Sequence, residues 1–470
     1  MDSRIEALET KKIGRLIADY SIPAIIGMLV MASYNIVDRI FVGRAVGTMA
    51  ISAIAITFPV NVVILGCAQF VGMGTAALVS IKLGEKRTGE AGQILGIGFL
   101  MGVCISVCLS LAIFFTMDPL ISILGGAEET HGYARQYLGI ILFGIPLQFM
   151  IYALNGVIRA QGSPRTALVT ILISGILNIV LNPVCIVLLH LGIRGSAIAT
   201  VVSQFVGAVW VLAYFRGKGS LLRLERVSID RKIVNQIAMI GMSPLLMQLA
   251  GSLILFIFNK SLYAYGGNLA IAVMGIGMSL VMLIMMPIYG LNQGIQPIIG
   301  YNYGAELIGR VQETLRKGML VATVVCTLGF LAVMFFSAEI VAIFNAEDRE
   351  FIALGSRALK IVLLMLPLNG FQVVGWAYFQ AVGKPKQAIM LTAAKQIVFV
   401  IPLVVVLPRF FALDGVWIAM PVADFAAACV AGTLLLLNAK VLKRREEMTL
   451  RVTGARARGN ELVDFSSSER

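Results

Sequence analysis

The chain has 470 residues, of which 59% are apolar and only 13% charged, against roughly 25% charged in ordinary soluble domains. So few polar side chains cannot clothe a water-soluble body of this size, and the mean hydropathy of +0.90 points the same way. The net charge of +13 would suit a nucleic-acid partner, but its distribution along the chain argues for a membrane instead.

Residues 1–12, MDSRIEALETKK, are polar and mixed in charge. They lack a basic n-region, a short apolar core and a small-residue cleavage site, so no cleaved signal peptide is expected. Apolar runs then recur, each long enough to cross a 30 Å hydrocarbon core as a helix. They predict twelve spans at about 15–42, 50–81, 91–116, 133–158, 166–189, 193–215, 233–262, 267–300, 311–337, 354–380, 387–407 and 412–439. The fold class is therefore an all-α polytopic membrane protein, with the lipid bilayer as its solvent.

The connections between spans alternate in character. One set carries Lys82, Lys86 and Arg87, then Arg159 and Arg165, then the linker residues Arg216, Lys218, Arg223, Arg226, Arg231 and Lys232. Arg310, Arg316, Lys317, Lys384 and Lys386 follow, and after the last span Lys440, Lys443, Arg444 and Arg445. The other set is poor in base and partly acidic, with Asp118, Glu128, Glu129, Glu339, Glu347, Asp348 and Glu350. The positive-inside rule puts the first set and both termini in the cytoplasm of a cell whose inner or plasma membrane the chain crosses many times. The excess base is topology, and no nucleic-acid partner is expected. Residues 441–470 are polar and are expected to be a disordered cytoplasmic tail.

The six cysteines all lie inside apolar runs and read as small buried residues. The two histidines, His131 and His190, lie at predicted span ends. Neither set has the paired spacing of a metal site. A membrane enzyme would need such a cluster or a nucleophile–base pair, and an ATP-driven pump would need a P-loop. The sequence offers none of these, so neither an enzyme nor a cofactor is expected.

The halves repeat at a spacing of about 220 residues. Ala160, Gly162, Pro164, Arg165 and Ala167 pair with Ala381, Gly383, Pro385, Lys386 and Ala388. Pro146 pairs with Pro367, Ala50-Ile51 with Ala270-Ile271, Gly84 with Gly304, Gly195 with Gly415, and Ile198-Ala199 with Ile418-Ala419. Collinear matches across a whole half mark a true repeat. Six spans per half is an even number, so both halves enter the membrane with the same orientation. The expected architecture is two six-helix lobes related by a pseudo-two-fold along the membrane normal, as in transporters. Their bounds are 1–215 for the N-lobe, 216–232 for a basic linker and 233–440 for the C-lobe.

Three stretches carry a resemblance to a known family. YNIVDRIFVG (34–43) in the first span, RAQGSP (159–164) between the fourth and fifth, and NQGIQPIIGYNYGA (292–305) ending the eighth together resemble the multidrug and toxic compound extrusion (MATE) family. The likeness covers about residues 10–440, and the second half is most similar to the bacterial MepA-like branch. It implies a twelve-helix, two-lobed fold and cation-driven antiport of small-molecule drugs or toxins, hence antibiotic resistance, by a monomer.

An ionisable residue within a span is costly and points to function. Asp38 shares a helix face with Tyr34 and Asn35, whereas the adjacent Arg39 diverges from it. Ser174, Asn178 and Asn182 recur every four residues in the fifth span, and Ser196, Thr200 and Gln204 do so in the sixth. The fourth adds Gln148, Tyr152 and Asn155. Such stripes cannot face lipid cheaply and are expected to converge inside the first lobe, either as interhelical hydrogen bonds or as a site. The oxygens of Asp38, Asn178, Asn182 and Thr200 would suit a hard monovalent cation, and could equally tune a proton site, because burial favours the neutral carboxyl while hydrogen bonds and cations favour the carboxylate.

The family resemblance implies that the first-helix Asp and fifth-helix Asn/Asp positions form a cluster linked to Na⁺ or H⁺. This sequence departs at Asn182, where the resemblance implies an aspartate. One carboxylate remains instead of two, and the coupling ion stays open between H⁺ and Na⁺. The repeat maps Asp38 to Asn259, Asn178 to Phe399 and Asn182 to Leu403, so an ion site would be confined to the N-lobe.

The C-lobe instead offers Gln372, Lys395 and Asp424, the last two either as a structural pair or in a functional role. Lys260, at a span end, reads as a snorkelling lysine. Met278, Met282, Met285 and Met286 either pack or face lipid, or line an adaptable drug cavity, since thioethers repack around varied shapes. A flippase for lipid-linked precursors, in the same wider superfamily, is the alternative function. It would call for more cavity cations than these spans supply.

Overall fold

The computed structural model describes residues 3–126, 128–217, 219–224, 228–345 and 347–467, with side chains described up to residue 441. Lys218 and Arg226 of the basic linker lie outside the described residues, and the side chains of Lys443, Arg444 and Arg445 lie outside the described part of the last helix. Among the described residues all regular structure is helical. That is what hydrocarbon requires of a chain that cannot leave backbone groups unpaired.

A short amphipathic helix, α1 (Ser3–Thr10), precedes the spans. The first half follows as α2 (Ile13–Ala45), α3 (Thr48–Gly84), α4 (Thr88–Phe115), the short α5 (Met117–Ile123), α6 (Glu128–Ala160), α7 (Pro164–Pro183) and α8 (Ile193–Arg216). The second half is α9 (Arg231–Gly304), α10 (Ile308–Ala342), α11 (Arg349–Val362), α12 (Leu366–Ala381), α13 (Pro385–Ala393), α14 (Ile401–Val406) and α15 (Pro408–Ser467). Among the described residues ten helical stretches are long and apolar enough to span a membrane. One of them, α9, is two spans joined at Gly267, whose φ of 63° only glycine adopts cheaply. The pair α11 and α12, bent by 45°, makes another. The twelve expected spans are thus all present.

Local chemistry sets the boundaries. Asp230 caps α9 by accepting from the Lys232 amide at 2.8 Å, and Asp348 caps α11 by accepting from Phe351 N at 3.0 Å. Pro164 and Pro385 open α7 and α13 at corresponding points of the repeat, each with its missing amide at a position where no helical bond is lost. α7 continues into a π-helical turn, Val184–Leu188, and α13 into a longer one, Ala394–Val400. Pro402 withholds the amide that would bond Val398, which accounts for the second irregularity. The polar tail expected to be disordered continues α15 as helix to Ser467. It contains no proline and is rich in Leu, Glu, Arg and Ala, all good helix formers.

The halves meet closely at the end bearing the basic connections. A Cβ at Gly84, the last residue of α3, would overlap the Tyr301 carbonyl, and one at Gly304, the last residue of α9, would overlap the Ile81 carbonyl. Gly84 and Gly304 are repeat mates, and so are Ile81 and Tyr301, so the contact is reciprocal, as an isologous two-fold demands. Further along, α2 lies against the second arm of α9, with Ser21 at Gly294 and Ile25 at Gly290. The same end is strapped by α1. Arg4 donates to Ser163 Oγ at 3.1 Å and to the Gly219 carbonyl at 2.8 Å. Tyr301 donates to Glu9 at 2.8 Å, and Arg310 donates to the carbonyls of Leu8 at 3.0 Å and Lys11 at 2.7 Å. The linker is pinned alongside, because Gln161 Oε1 accepts from Ser220 Oγ and from the amides of Leu221 and Leu222.

The reciprocal contact predicts a sharp position dependence. Gly84→Val and Gly304→Val each lower the apparent unfolding temperature in detergent, by an overpacking cost of about 1–3 kcal/mol. Gly89→Val, where an added Cβ meets nothing within 4 Å, leaves it in place. Equal thermostability of all three variants would show that the ends do not close on these glycines.

Candidate functional site

Asp38 sits in the distal half of α2, half-buried against α7 and α8. Ser196 Oγ donates to its Oδ1 at 2.6 Å, and the Asn182 side chain lies within hydrogen-bonding reach of the same carboxylate. Asn182 Nδ2 donates to Asn178 Oδ1 at 2.9 Å, and Asn178 Nδ2 donates to Thr200 Oγ1 at 3.2 Å. Helical spacing explains the convergence. Residues 178 and 182 stack one turn apart on α7, as do 196 and 200 on α8, and the two rows face each other with Asp38 across them. Ser196 and Asn182 are fully buried and Asn178 nearly so.

The donation runs one way, from Asn182 through Asn178 to Thr200, and it leaves Asn182 Oδ1 buried without a donor. A carboxylate, a hydroxyl and an orphaned carbonyl oxygen side by side suit a hard monovalent cation, and the same group suits a proton shared with Asp38. Among the described residues no cluster of three or more His, Cys, Asp or Glu side chains that could hold a metal ion occurs. Arg39 makes no ion pair with Asp38 among the described residues and is exposed, consistent with its place on another helix face.

Other candidates fall outside this network. Asn35 is exposed and bonds back to the Met31 carbonyl of its own helix at 2.7 Å, with Tyr34 beside it. Ser174 bonds back to Thr170 O at 3.2 Å and packs on Gly207. Gln204 packs on Gly144 with its Oε1 unpaired. Gln148 and Tyr152 are half-buried on α6, and Asn155 is buried with its Oδ1 unpaired. Tyr34 is half-buried beside Gly175. Sequence reasoning missed Tyr137, a buried tyrosine of α6 near enough to Asp38 and Tyr34 to interact electrostatically. The signal was there, since Tyr137 lies three helical turns before Gln148 on one face.

A second polar cluster occupies the C-lobe. Lys395 Nζ lies 2.7 Å from Asp424 Oδ1 and donates to Asn369 Oδ1 at 2.7 Å. Asn369 Nδ2 donates to Asp424 Oδ2 at 3.0 Å, and Gln372 Nε2 to the Asp424 carbonyl at 2.6 Å. The side chains border a cavity of about 240 Å³ whose apolar wall includes Met247, Met285, Tyr289 and Trp376. Asn369 was not anticipated, although it lies three residues before Gln372 and is the repeat mate of Gln148. Of the four expected cavity methionines only Met285 lines it. Met282 is 61% exposed, and Met278 and Met286 are half-buried. The four share an arc of about 100° on the helix, and the cavity meets only its edge, through Val281, Met285 and Tyr289. Asn259 and Lys260, by contrast, are both exposed on the first arm of α9.

Comparison with known proteins now bears on this geometry. The chain is 26% identical over 438 residues to the multidrug export protein MepA of Staphylococcus aureus strain MSSA476, covering 93% of this chain and 96% of that one. The MepA protein of Staphylococcus saprophyticus is equally similar, at 26% over 438 residues. In fold, the chain resembles a crystal structure of MATE in the bent conformation, with a TM-score of 0.88 at 24% identity over 94% of this chain and 99% of that one. It also resembles a multidrug resistance MATE family transporter of the MOP superfamily in an outward-facing conformation, with a TM-score of 0.86 over 93% and 98%. The MatE family model matches residues 23–184 and 244–406, one copy in each lobe. The chain is therefore a multi-pass, twelve-span, two-lobed member of the MatE family.

Proposed function

We propose that this protein is a cation-coupled antiporter exporting lipophilic, often cationic, small molecules from the cytoplasm. It would lie in the plasma or inner membrane as a monomer with both termini inside. The observation that carries this reading is the Asp38–Ser196–Asn182–Asn178–Thr200 network, an ionisable group embedded within one lobe and absent at its repeat mates Asn259, Phe399 and Leu403. The similarity to proteins named as multidrug exporters supports the substrate class. A transporter rather than an enzyme also fits the small number of reactive side chains. The flippase alternative gains little, since the one cation bordering the cavity, Lys395, is already paired with Asp424.

The proposed cycle is alternating access. The basic ends are closed by Gly84, Gly304 and α1, while Ser33 and Asn35 stand exposed in the middle of α2. Polar side chains at that depth are costly against lipid and suit a water-filled cleft open on the opposite side. In this state a proton or Na⁺ reaches Asp38 from outside and favours release of the drug. The lobes then reverse, and the ion discharges inward. A ligand moves such an equilibrium only by binding the two states unequally. Asp38 meets that condition if its contacts with α7 and α8 change between them.

Asp38→Asn is expected to cut efflux of ethidium from proteoliposomes at least tenfold with the protein still inserted and monodisperse. Undiminished efflux would remove Asp38 from the coupling step. In the native protein an imposed pH gradient or an imposed Na⁺ gradient, applied separately, drives efflux, and response to neither would overturn antiport. Asn182→Asp restores the second carboxylate. It is expected to raise the Na⁺-driven component relative to the H⁺-driven one in the same assay, and an unchanged ratio would show that Asn182 does not set ion choice.

A further inference from the structure

Resting on the reading of the protein as an exporter of organic cations, we infer that the C-lobe cavity is a binding site for small aromatic amines. It would be selective for ammonium groups that carry N–H over quaternary ones.

The cavity leaves two buried side-chain carbonyl oxygens unpaired. Gln372 lines it and is only 6% exposed. Its Nε2 donates to the Asp424 carbonyl at 2.6 Å, which fixes the amide so that Oε1 is the free end. That oxygen is buried with no hydrogen-bond partner, and so is Gln396 Oε1 on the same cavity wall. Several donors nearby are already engaged, while the Tyr289 hydroxyl and Gln396 Nε2 of the same wall are not, among the described residues. Lys395 Nζ is held by Asp424 Oδ1 and Asn369 Oδ1, Asn369 Nδ2 by Asp424 Oδ2, and Trp376 Nε1 by Ser243 Oγ at 2.7 Å. The buried polar atoms of the wall that lack a partner are thus acceptors, and they call for a donor.

Charge points the same way. A ligand anion would meet Lys395, whose charge Asp424 already neutralises, and beside it two unpaired carbonyl oxygens. A ligand ammonium would meet those two oxygens and the Asp424 carboxylate as acceptors, competing with Lys395 for Asp424. The lysine is fit to give way, because its side chain is 31% exposed whereas that of Asp424 is 10% exposed. The apolar wall, with Trp376 and Tyr289, suits an aromatic body and places a π face near the cation. At about 240 Å³, the space falls below the roughly 300–1,000 Å³ of common ligand sites, so one or two fused rings are the natural size. A quaternary ammonium has charge but no hydrogen to donate, and it would leave Gln372 Oε1 and Gln396 Oε1 unpaired.

The repeat makes the site specific to one lobe. Asn369, Lys395 and Asp424 are the mates of Gln148, Ser174 and Gln204, which carry no charge. The N-lobe thus has the same three positions without the carboxylate that would hold an ammonium.

The test is equilibrium binding to the full-length protein in nanodiscs, with no ion gradient. The probes are 1-naphthylmethylamine and its N,N,N-trimethyl derivative, near neutral pH. The native protein is expected to bind the primary ammonium at least tenfold more tightly than the quaternary one. Gln372→Met is expected to shrink that preference toward one, and Asp424→Asn to weaken both probes at least tenfold. Equal Kd values for the two probes in the native protein would overturn the proposal, as would a preference that survives Gln372→Met. Should that variant not fold, the native probe pair decides alone. Failure of gradient-driven ethidium efflux would instead overturn the coupled-export reading, and it would leave the amine preference standing.

Discussion

Everything in this molecule hangs on how closely two lobes approach at one end. A helix axis cannot come near another unless the side chains between them are small. At Gly84 and Gly304 the approach is so close that no Cβ fits, and backbone faces backbone across the pseudo-two-fold. Because the repeat places a glycine at both mates, the contact satisfies both lobes at once. The α1 strap, with Arg4 on one lobe and Glu9 beside Tyr301 on the other, adds polar bonds that either lobe alone could not make.

Symmetry in the scaffold is matched by asymmetry in chemistry. Each lobe has polar side chains on its equivalents of spans four, five and six, but the lobes put charge at different positions. The N-lobe places its carboxylate on α2 and surrounds it with neutral oxygens and amides from α7 and α8. The C-lobe places its carboxylate on α15 and neutralises it with a lysine from the π-helical stretch after α13. An unpaired carboxylate in a low-dielectric lobe responds to ions, whereas a carboxylate already holding a tethered ammonium responds only to something that can displace it. The same scaffold so provides one position suited to a coupling ion and another suited to an organic one.

Most of the fold was legible in the sequence because its determinants are local. Span length, alternating basic connections and the paired motifs at Gly162–Pro164 and Gly383–Pro385 all survive in a linear reading. The Asp38 network was legible for the same reason, since its members recur every four residues. What escaped was decided by packing between helices. Nothing in the stretch around residue 35 reveals that Asn35 turns away while Asp38 turns in. Nor does periodicity alone distinguish Met285, which borders the cavity, from Met282, which does not. Asn369 escaped for another reason. Its role depends on Lys395 and Asp424 arriving from two other helices, and only the repeat, carried two positions beyond Pro146 to Gln148, would have marked it.

The helix that carries Asp38 also carries the contact between lobes. Ser21 and Ile25 of α2 lie against Gly294 and Gly290 of α9, and Asp38 stands several turns further along the same helix. Pro23 lies between those two contact residues and cannot donate to the Asp19 carbonyl one turn earlier. In the proposed cycle a change in the bonds of Asp38 with α7 and α8 acts on one end of a rigid rod whose other end is seated on the C-lobe. Coupling then needs no chain of intermediate residues, because the ion site and the lobe interface share one helix. The proposed cycle also accounts for a candidate ion site in one lobe of a symmetric scaffold. The first arm of α9, which is the repeat mate of α2, packs on α3 of the other lobe and exposes Asn259 where α2 has Asp38.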